Sequence, residues 1–505
     1  MLFNSIEFLL FFPTVVVLYF LIASQYRWVL LLVASYYFYM AWKPAYILLI
    51  VVSTIIDYWC SRRMGELPDK QQRKPYLYVS LAANLGILFT FKYFDFFNQS
   101  LGAVSEALGL GYVPASWELI LPMGISFYTF QTMSYSIDVY HGKLAPEKHF
   151  GKFALFVTFF PQLVAGPIER ATHLLPQFHQ KFDFNYYRIT SGLRQMGWGM
   201  FKKVVIADRL SVLVNAVYNQ PGDFEGFFLA LATVFFAFQI YCDFSGYSDI
   251  AIGAARVLGF DLMRNFRTPY FAKTISEFWR RWHISLSTWF RDYVYIPLGG
   301  SRTVKWRWYY NLFITFAISG LWHGANWTFV IWGALHGFYL IASIWAQPIK
   351  TWVNRITRLD QAPLVMKWVD VLVVFVLVNL AWVFFRANSA SDAFYILTHF
   401  LDGKSADFTL FAQEMLNLVR GQADLGAKLM AASGANLGLS LFEFLIAIAA
   451  IGFLVLTEWA YSRTNLPKLV EQSPLLVRWS IYYAMVYGIL LFRYVGINEF
   501  IYFQF

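Results

Sequence analysis

Charge is what this sequence has least of. Of 505 residues only 14% are Asp, Glu, Lys or Arg, while 58% are hydrophobic and 20% aromatic. A soluble globular domain carries about 25% charged residues. So sparse a supply cannot cover a water-facing surface, which excludes a soluble enzyme and a disordered chain. Cysteine is nearly missing as well. The two present, Cys60 and Cys242, lie far apart in or beside apolar stretches. That excludes a disulfide-rich secreted scaffold, an iron–sulfur centre and a thiolate metal site, although spacing alone leaves a single bridge open. Basic residues are absent from positions 1–8, ahead of the first apolar run. That run therefore reads as a retained anchor and not as a signal peptide. H-E-x-x-H, G-x-S-x-G, the P-loop and G-x-G-x-x-G do not occur. Zinc-protease, serine-hydrolase, ATP-driven and dinucleotide chemistry have no foothold here, and no metal is expected.

What is present is length of apolar chain. A bilayer span takes about 20 mostly apolar residues. Candidate stretches fall at 7–24, 28–42, 45–60, 76–97, 118–140, 150–168, 224–252, 308–325, 327–346, 368–386, 439–461 and 476–496. With a mean hydropathy of +0.49, the chain reads as an all-α polytopic membrane protein. It should have about 11–13 crossing or re-entrant segments, because half-spans are tolerated where they line a cavity. The loop 61–75 holds Arg62, Arg63, Lys70, Arg73 and Lys74, loop 98–117 holds no Lys or Arg, and 141–152 holds Lys143, Lys148 and Lys152. Lys and Arg mark the cytoplasmic side, so both termini are expected outside. The same rule absorbs the net charge of +10 without invoking nucleic acid. Three blocks are expected: 1–140, a core 141–346, and 347–505 with a polar connector at 387–438. That connector is either a docking surface for an extracytoplasmic partner or a solvated link.

The middle block breaks the membrane pattern. Residues 264–307 hold nine basic residues. On a helix over 277–292, Trp279, Trp282, Leu286, Trp289 and Phe290 gather on one face and Glu277, Arg280, Arg281, Arg291 and Asp292 on the other. The spacing predicts an interfacial amphipathic helix within 275–295. His283 falls on its aromatic side, as a core histidine or as one facing substrate. His323 sits in Ser319-Gly320-Leu321-Trp322-His323-Gly324-Ala325-Asn326, near the end of an apolar stretch. An ionisable group at that depth is a functional candidate, and imidazole is a natural proton acceptor near neutral pH. Gly320 and Gly324 permit close backbone approach, which helix packing alone also explains. His336 is off the His323 face of a continuous helix and is the weaker candidate; the remaining histidines lie in polar segments. Asp243, Ser245, Tyr247, Ser248 and Asp249 interrupt another apolar stretch. They read either as buried charges paired with arginines at 256, 264 or 267 or with those of the amphipathic helix, or as a polar tunnel wall.

Three strings carry a resemblance: Asp243–Asp249, the run Phe278-Trp279-Arg280-Arg281-Trp282-His283 continued to Tyr293, and Leu321-Trp322-His323-Gly324-Ala325. With Phe160–Ile168 they resemble the membrane-bound O-acyltransferases, in particular the bacterial branch that includes the membrane subunits of alginate O-acetylation. The resemblance implies a ring of irregular helices around a central tunnel in the bacterial inner membrane. It implies catalysis by His323 and His283, with Trp322, Asn326, Asp243, Ser245, Tyr247 and Trp282 as candidate tunnel or substrate contacts. The donor would be a cytoplasmic thioester, acetyl-coenzyme A or an acyl carrier protein, with no bound cofactor. The acetyl group would pass to an extracytoplasmic polysaccharide, directly or through an SGNH-type partner (AlgJ- or AlgX-like). The physics agrees: a polyanionic donor cannot cross about 30 Å of hydrocarbon. Rival readings are a transporter or flippase for a lipid-linked saccharide, a scaffold subunit, and D-alanyl or other acyl transfer to a cell-wall polymer.

Overall fold

Long apolar runs meet their backbone hydrogen bonds in a bilayer only as helices or closed barrels. In the computed structural model every regular element among the described residues is a helix. The structure describes residues 1–117, 119–164, 166–224, 226–402, 438–494, 496 and 500–501. The candidate docking surface within 387–438 therefore lies, from 403 to 437, outside the described residues.

In chain order the helices are α1 (Ile6–Leu21), α2 (Arg27–Met40), α3 (Ile47–Glu66), α4 (Lys70–Leu88), α5 (Phe94–Ala107), α6 (Ile125–Tyr140), α7 (Phe150–Thr158), α8 (Phe160–Leu163), α9 (Ala171–Leu174) and α10 (Tyr186–Met200). Next come α11 (Asp208–Asn219), α12 (Phe227–Leu258), α13 (Ile275–Trp279), α14 (Ile284–Phe290), α15 (Lys305–His323) and α16 (Trp327–Trp345). The last are α17 (Gln347–Ile356), α18 (Pro363–Arg386), α19 (Ala390–His399), α20 (Leu441–Arg463), α21 (Leu466–Gln472) and α22 (Leu475–Phe492). Seven helical segments among the described residues are long and apolar enough to cross a membrane: Pro44–Glu66, Lys70–Ala107, Phe227–Leu258, Trp327–Trp345, Pro363–Arg386, Phe442–Arg463 and Leu475–Phe492. The chain is a multi-pass, all-α membrane protein.

Helix takes up much of two expected loops. The basic segment 61–75 shrinks to residues 67–69, between α3 and α4. The first half of the segment 98–117 is α5, because α4, a π-helical turn at Phe89–Tyr93 and α5 run on as one segment of 38 residues. Local composition located the apolar centres but not their ends, which helices extend with polar turns.

The chain divides into two compact units, Met1–Met196 with Tyr247–Asn265, and Gly197–Gly246 with Phe266–Phe505. Two of the three cuts fall inside α10 and α12, and the third follows Asn265. The first unit buries a polar knot between α3, α4 and α6. Ser80 Oγ donates to Asp57 Oδ1 at 2.6 Å, Asn84 Nδ2 donates to both Asp57 oxygens at 2.9 Å, and Thr132 Oγ1 donates to Asn84 Oδ1 at 2.9 Å. Hydrogen bonding is what lets Asp57 stay fully buried there.

The second unit carries the α15–α16 hairpin. A Cβ on Gly320 would lie 2.2 Å from the carbonyl oxygen of Phe329, and one on Gly333 2.2 Å from that of Phe316. Small residues thus let the two backbones touch. Gly333→Ala drives a methyl into backbone that cannot yield, and overpacking of this kind costs about 1–3 kcal/mol. A lowered thermal midpoint in detergent is the expected readout, and an unchanged midpoint would contradict the crossing.

Candidate active site

The helix expected over 277–292 is broken in two. α13 ends at Trp279, a turn occupies residues 280–283, and α14 starts at Ile284. The break sits at His283, whose φ of 42° and ψ of 55° place it in the left-handed region. A non-glycine residue there is uncommon, and such backbone clusters at functional sites. Burial still follows the expected faces. Trp279, Trp282, Leu286, Trp289 and Phe290 are buried, while Arg280 and Arg291 are exposed. The aromatic face packs against protein. The next turn closes with Gly299 and Gly300 at positive φ, and Asn311 Nδ2 donates to the Gly300 carbonyl at 3.0 Å.

That turn puts His283 beside His323. The two imidazoles are buried, 0% and 2% exposed, and their ring centroids are 6.2 Å apart. His323 is the last residue of α15. Trp322 completes the group, 6.1 Å from His283 and 4.9 Å from His323. The walls are aromatic. Phe244 of α12 sets its ring edge-on to His283 at 4.6 Å, and Trp332 and Phe385 stand edge-on to His323 at 5.0 and 5.4 Å. Trp282 lies behind, 5.0 Å from Trp382. Burial pushes the His283 imidazole down to about 3, so it is neutral at physiological pH. Neutral imidazole has one N–H donor and one lone pair.

The backbone at 283 has a testable cost. His283→Ala and His283→Gly remove the same imidazole, but only glycine enters the left-handed region without penalty. The glycine variant should be the more stable by about 1–2 kcal/mol. Thermal unfolding of the pair measures this; equal midpoints would place the residue elsewhere on the φ axis.

The other candidate residues are dispersed. Asn326 caps α16, its Oδ1 accepting the Thr328 N–H at 2.9 Å. Tyr247 belongs to the first unit, where its hydroxyl donates to Asn4 Oδ1 at 3.4 Å. Asp249, also there, accepts from Gln195 Nε2 at 3.0 Å. Ser245 Oγ accepts from Lys202 Nζ at 2.8 Å. Asp243 is ion-paired, but with a lysine and not with an arginine at 256, 264 or 267. Lys203 Nζ stands 2.8 Å from Asp243 Oδ1 and 2.8 Å from Asp208 Oδ1, and all three side chains are buried. Asp243 Oδ2 accepts the Ile501 N–H at 2.8 Å.

Lys202, Lys203 and Asp208 escaped the sequence reading. Lys202 and Lys203 lie on a π-helical turn, Phe201–Ala207, between α10 and α11. The signal was there: two lysines, an aspartate and an arginine among the otherwise mostly apolar residues Phe201–Val212. Such turns recur at functional sites. His336 was set aside as the weaker histidine, and its ring is separated from His323 by Trp332, which lies 5.0 Å from each.

Comparison with known proteins follows this geometry. A family model for membrane-bound O-acyltransferases matches residues 146–385, which contain both histidines of the cluster. A probable alginate O-acetylase AlgI of Azotobacter vinelandii is 40% identical over 397 residues, covering 78% of this chain and 76% of that protein. A peptidoglycan O-acetyltransferase of Helicobacter pylori is 36% identical over 395 residues, 73% of this chain and 72% of that one. A teichoic acid D-alanyltransferase of Bacillus subtilis is 28% identical over 230 residues, 43% of this chain and 58% of that one.

Proposed function

The chain belongs to the membrane-bound O-acyltransferase family, and on that premise we propose that it takes an acetyl group from a cytoplasmic thioester and sends it on for O-acetylation of an extracytoplasmic polysaccharide. The donor is acetyl-coenzyme A or an acyl carrier protein. The acceptor class follows the alginate and peptidoglycan acetylases to which the chain is similar over more than 70% of its length; the match to D-alanyltransferases is shorter and weaker. An alginate-type exopolysaccharide is the first candidate. The acetyl group reaches it directly or through a second, extracytoplasmic acetyltransferase. The membrane is the bacterial inner membrane, with the basic loops and the donor on the cytoplasmic side.

The observation that carries this reading is the pair of buried imidazoles, His283 and His323, in a water-poor aromatic shell. A hydroxyl attacks a thioester slowly until a base takes its proton. His323 fills that role. As the oxygen–carbon bond forms, the hydroxyl proton moves to the His323 imidazole. As the carbon–sulfur bond breaks, the thiolate leaves and is protonated from the same imidazolium. His283, neutral and buried, orients the acceptor or polarises the thioester carbonyl with its N–H. Trp322 lines the same space, while the carboxamide oxygen of Asn326 is already given to the α16 cap.

The test is turnover. Purified, monodisperse protein is incubated with radiolabelled acetyl-coenzyme A, or acetyl carrier protein, and a glycan acceptor. Release of free thiol above the buffer rate is expected. Turnover of neither donor would overturn the reading.

A further inference from the structure

Helix α17 is built the wrong way round for water. Its apolar residues Ile349, Trp352, Val353 and Ile356 follow the i, i+3, i+4, i+7 spacing of one helix face. In a soluble protein that face would turn inward. Here Ile349, Trp352 and Ile356 are 62, 63 and 61% exposed, and no residue of the helix is buried. The polar side is the one that meets protein. Lys350 Nζ stands 2.7 Å from Asp370 Oδ1, and Asn354 Nδ2 donates to Met366 Sδ at 3.4 Å, both partners lying on α18. Position explains the inversion. α17 links α16 to α18, and both neighbours are long and apolar enough to cross a membrane. A short link between two spans starts and ends at one membrane face, where water gives way to hydrocarbon. Exposed Trp345 and Trp368 bracket it, at the level where aromatic residues gather. Charge then favours one kind of lipid. Residues 347–370 hold Lys350, Arg355, Arg358 and Lys367 against Asp360 and Asp370, and both arginines are exposed.

From this we propose that α17 is a seat for anionic phospholipid: Ile349, Trp352, Val353 and Ile356 enter the acyl region of one leaflet, and Arg355 and Arg358 meet its acidic headgroups. The inference goes beyond acyl transfer and does not depend on it. An amphipathic helix in this plane gains apolar burial and, from each basic side chain, about fivefold in partition towards acidic lipid. Ten residues are too few to hold a helix in water, so the leaflet and the two α18 contacts supply what propensity lacks. The interfacial role expected within 275–295 thus falls to α17. The spans it joins are those that wall the base: α16 carries Trp332 and α18 carries Phe385, the two rings edge-on to His323.

The experiment uses the full-length protein in liposomes, with a small fluorophore on Trp352→Cys, or on Ile356→Cys as a second reporter of the same face. Cys60 and Cys242 are buried, so labelling is confined to the new thiol. Thr351→Cys, exposed on the polar side, is the control. Labels at 352 and 356 should be quenched by lipid brominated on its acyl chains and shielded from aqueous iodide, while the label at 351 should respond to iodide. With brominated phosphatidylglycerol as a minor component, quenching at 352 should be at least about twofold that given by the same share of brominated phosphatidylcholine. Arg355→Gln combined with Arg358→Gln should bring that ratio towards one. Ready iodide quenching at both 352 and 356 overturns the seat. Shielding from iodide without quenching by brominated lipid also overturns it, since a second copy or another protein would then cover the face. Equal quenching by the two lipids in the otherwise unaltered protein overturns the preference for acidic headgroups.

Discussion

His323→Ala should abolish thioester turnover almost completely, by about 10²–10⁴-fold, in a protein that still folds. The size of the loss follows from the absence of a substitute. His283 is the other imidazole at hand, but its ring centroid lies 6.2 Å from that of His323, too far to stand in for a base lost at the end of α15. The nearby Trp322, Trp332 and Phe385 are rings with no basic atom. The fold should survive because His323 is the final residue of α15 and the hairpin is held elsewhere, by the glycine crossing at 320 and 333. Thiol release and monodispersity, measured on the same sample, check both halves. A folded His323→Ala protein with near-native turnover would move the base to another residue.

The second large effect is on stability. Lys203→Met should cost about 3–5 kcal/mol, enough to leave little folded protein. Its ammonium lies between the carboxylates of Asp208 and Asp243, at 2.8 Å from each, and none of the three is more than 4% exposed. Removing the cation strands two buried carboxylates with each other. Replacing all three at once, Lys203→Met with Asp208→Asn and Asp243→Asn, removes the stranded charge and should recover much of the loss. Expression level and thermal midpoint of the single and triple variants give the comparison. A single variant as stable as wild type would show that the cluster is not desolvated. The cluster touches the site through one peptide: Asp243 is followed by Phe244, whose ring edge meets His283. Variants that loosen α12 at Asp243 should therefore lose turnover before they lose helix content.

Much of this was legible in the sequence, and the failures have physical causes. Apolar length located α3, α12, α16, α18, α20 and α22, because a bilayer imposes a length on every span. His323 stood out as an ionisable group in an apolar stretch, His283 was open between a core and a substrate-facing histidine until the family resemblance paired the two, and the structure brings them together. The membrane-bound O-acyltransferase resemblance rested on the strings that hold them. What escaped depends on contacts across long separations or on single dihedral angles. Periodicity over 277–292 sorts side chains into buried and exposed, yet it cannot report that one residue leaves the right-handed region; hence the undivided helix. The partner of Asp243 lies 40 positions away, on a π-helical turn no apolar pattern announces. Asp243 could be read as a buried paired charge or as a tunnel wall, and Asn326 as a substrate contact, because polar groups in apolar chain invite both readings. One forms a buried ion pair and the other caps a helix.

The division of 277–292 into α13 and α14 sets the order in which the molecule becomes competent. Five and seven residues are far too few for a helix to persist alone, since nucleation is unfavourable below about 12–15 residues. Neither piece exists until Trp279 and Trp282 find the rings of α16 and α18. The left-handed turn between them, and with it His283, is therefore a late product of folding and an early casualty of heating. On a temperature ramp, inactivation should run ahead of the loss of helical ellipticity, and on cooling, turnover should be the last property to return.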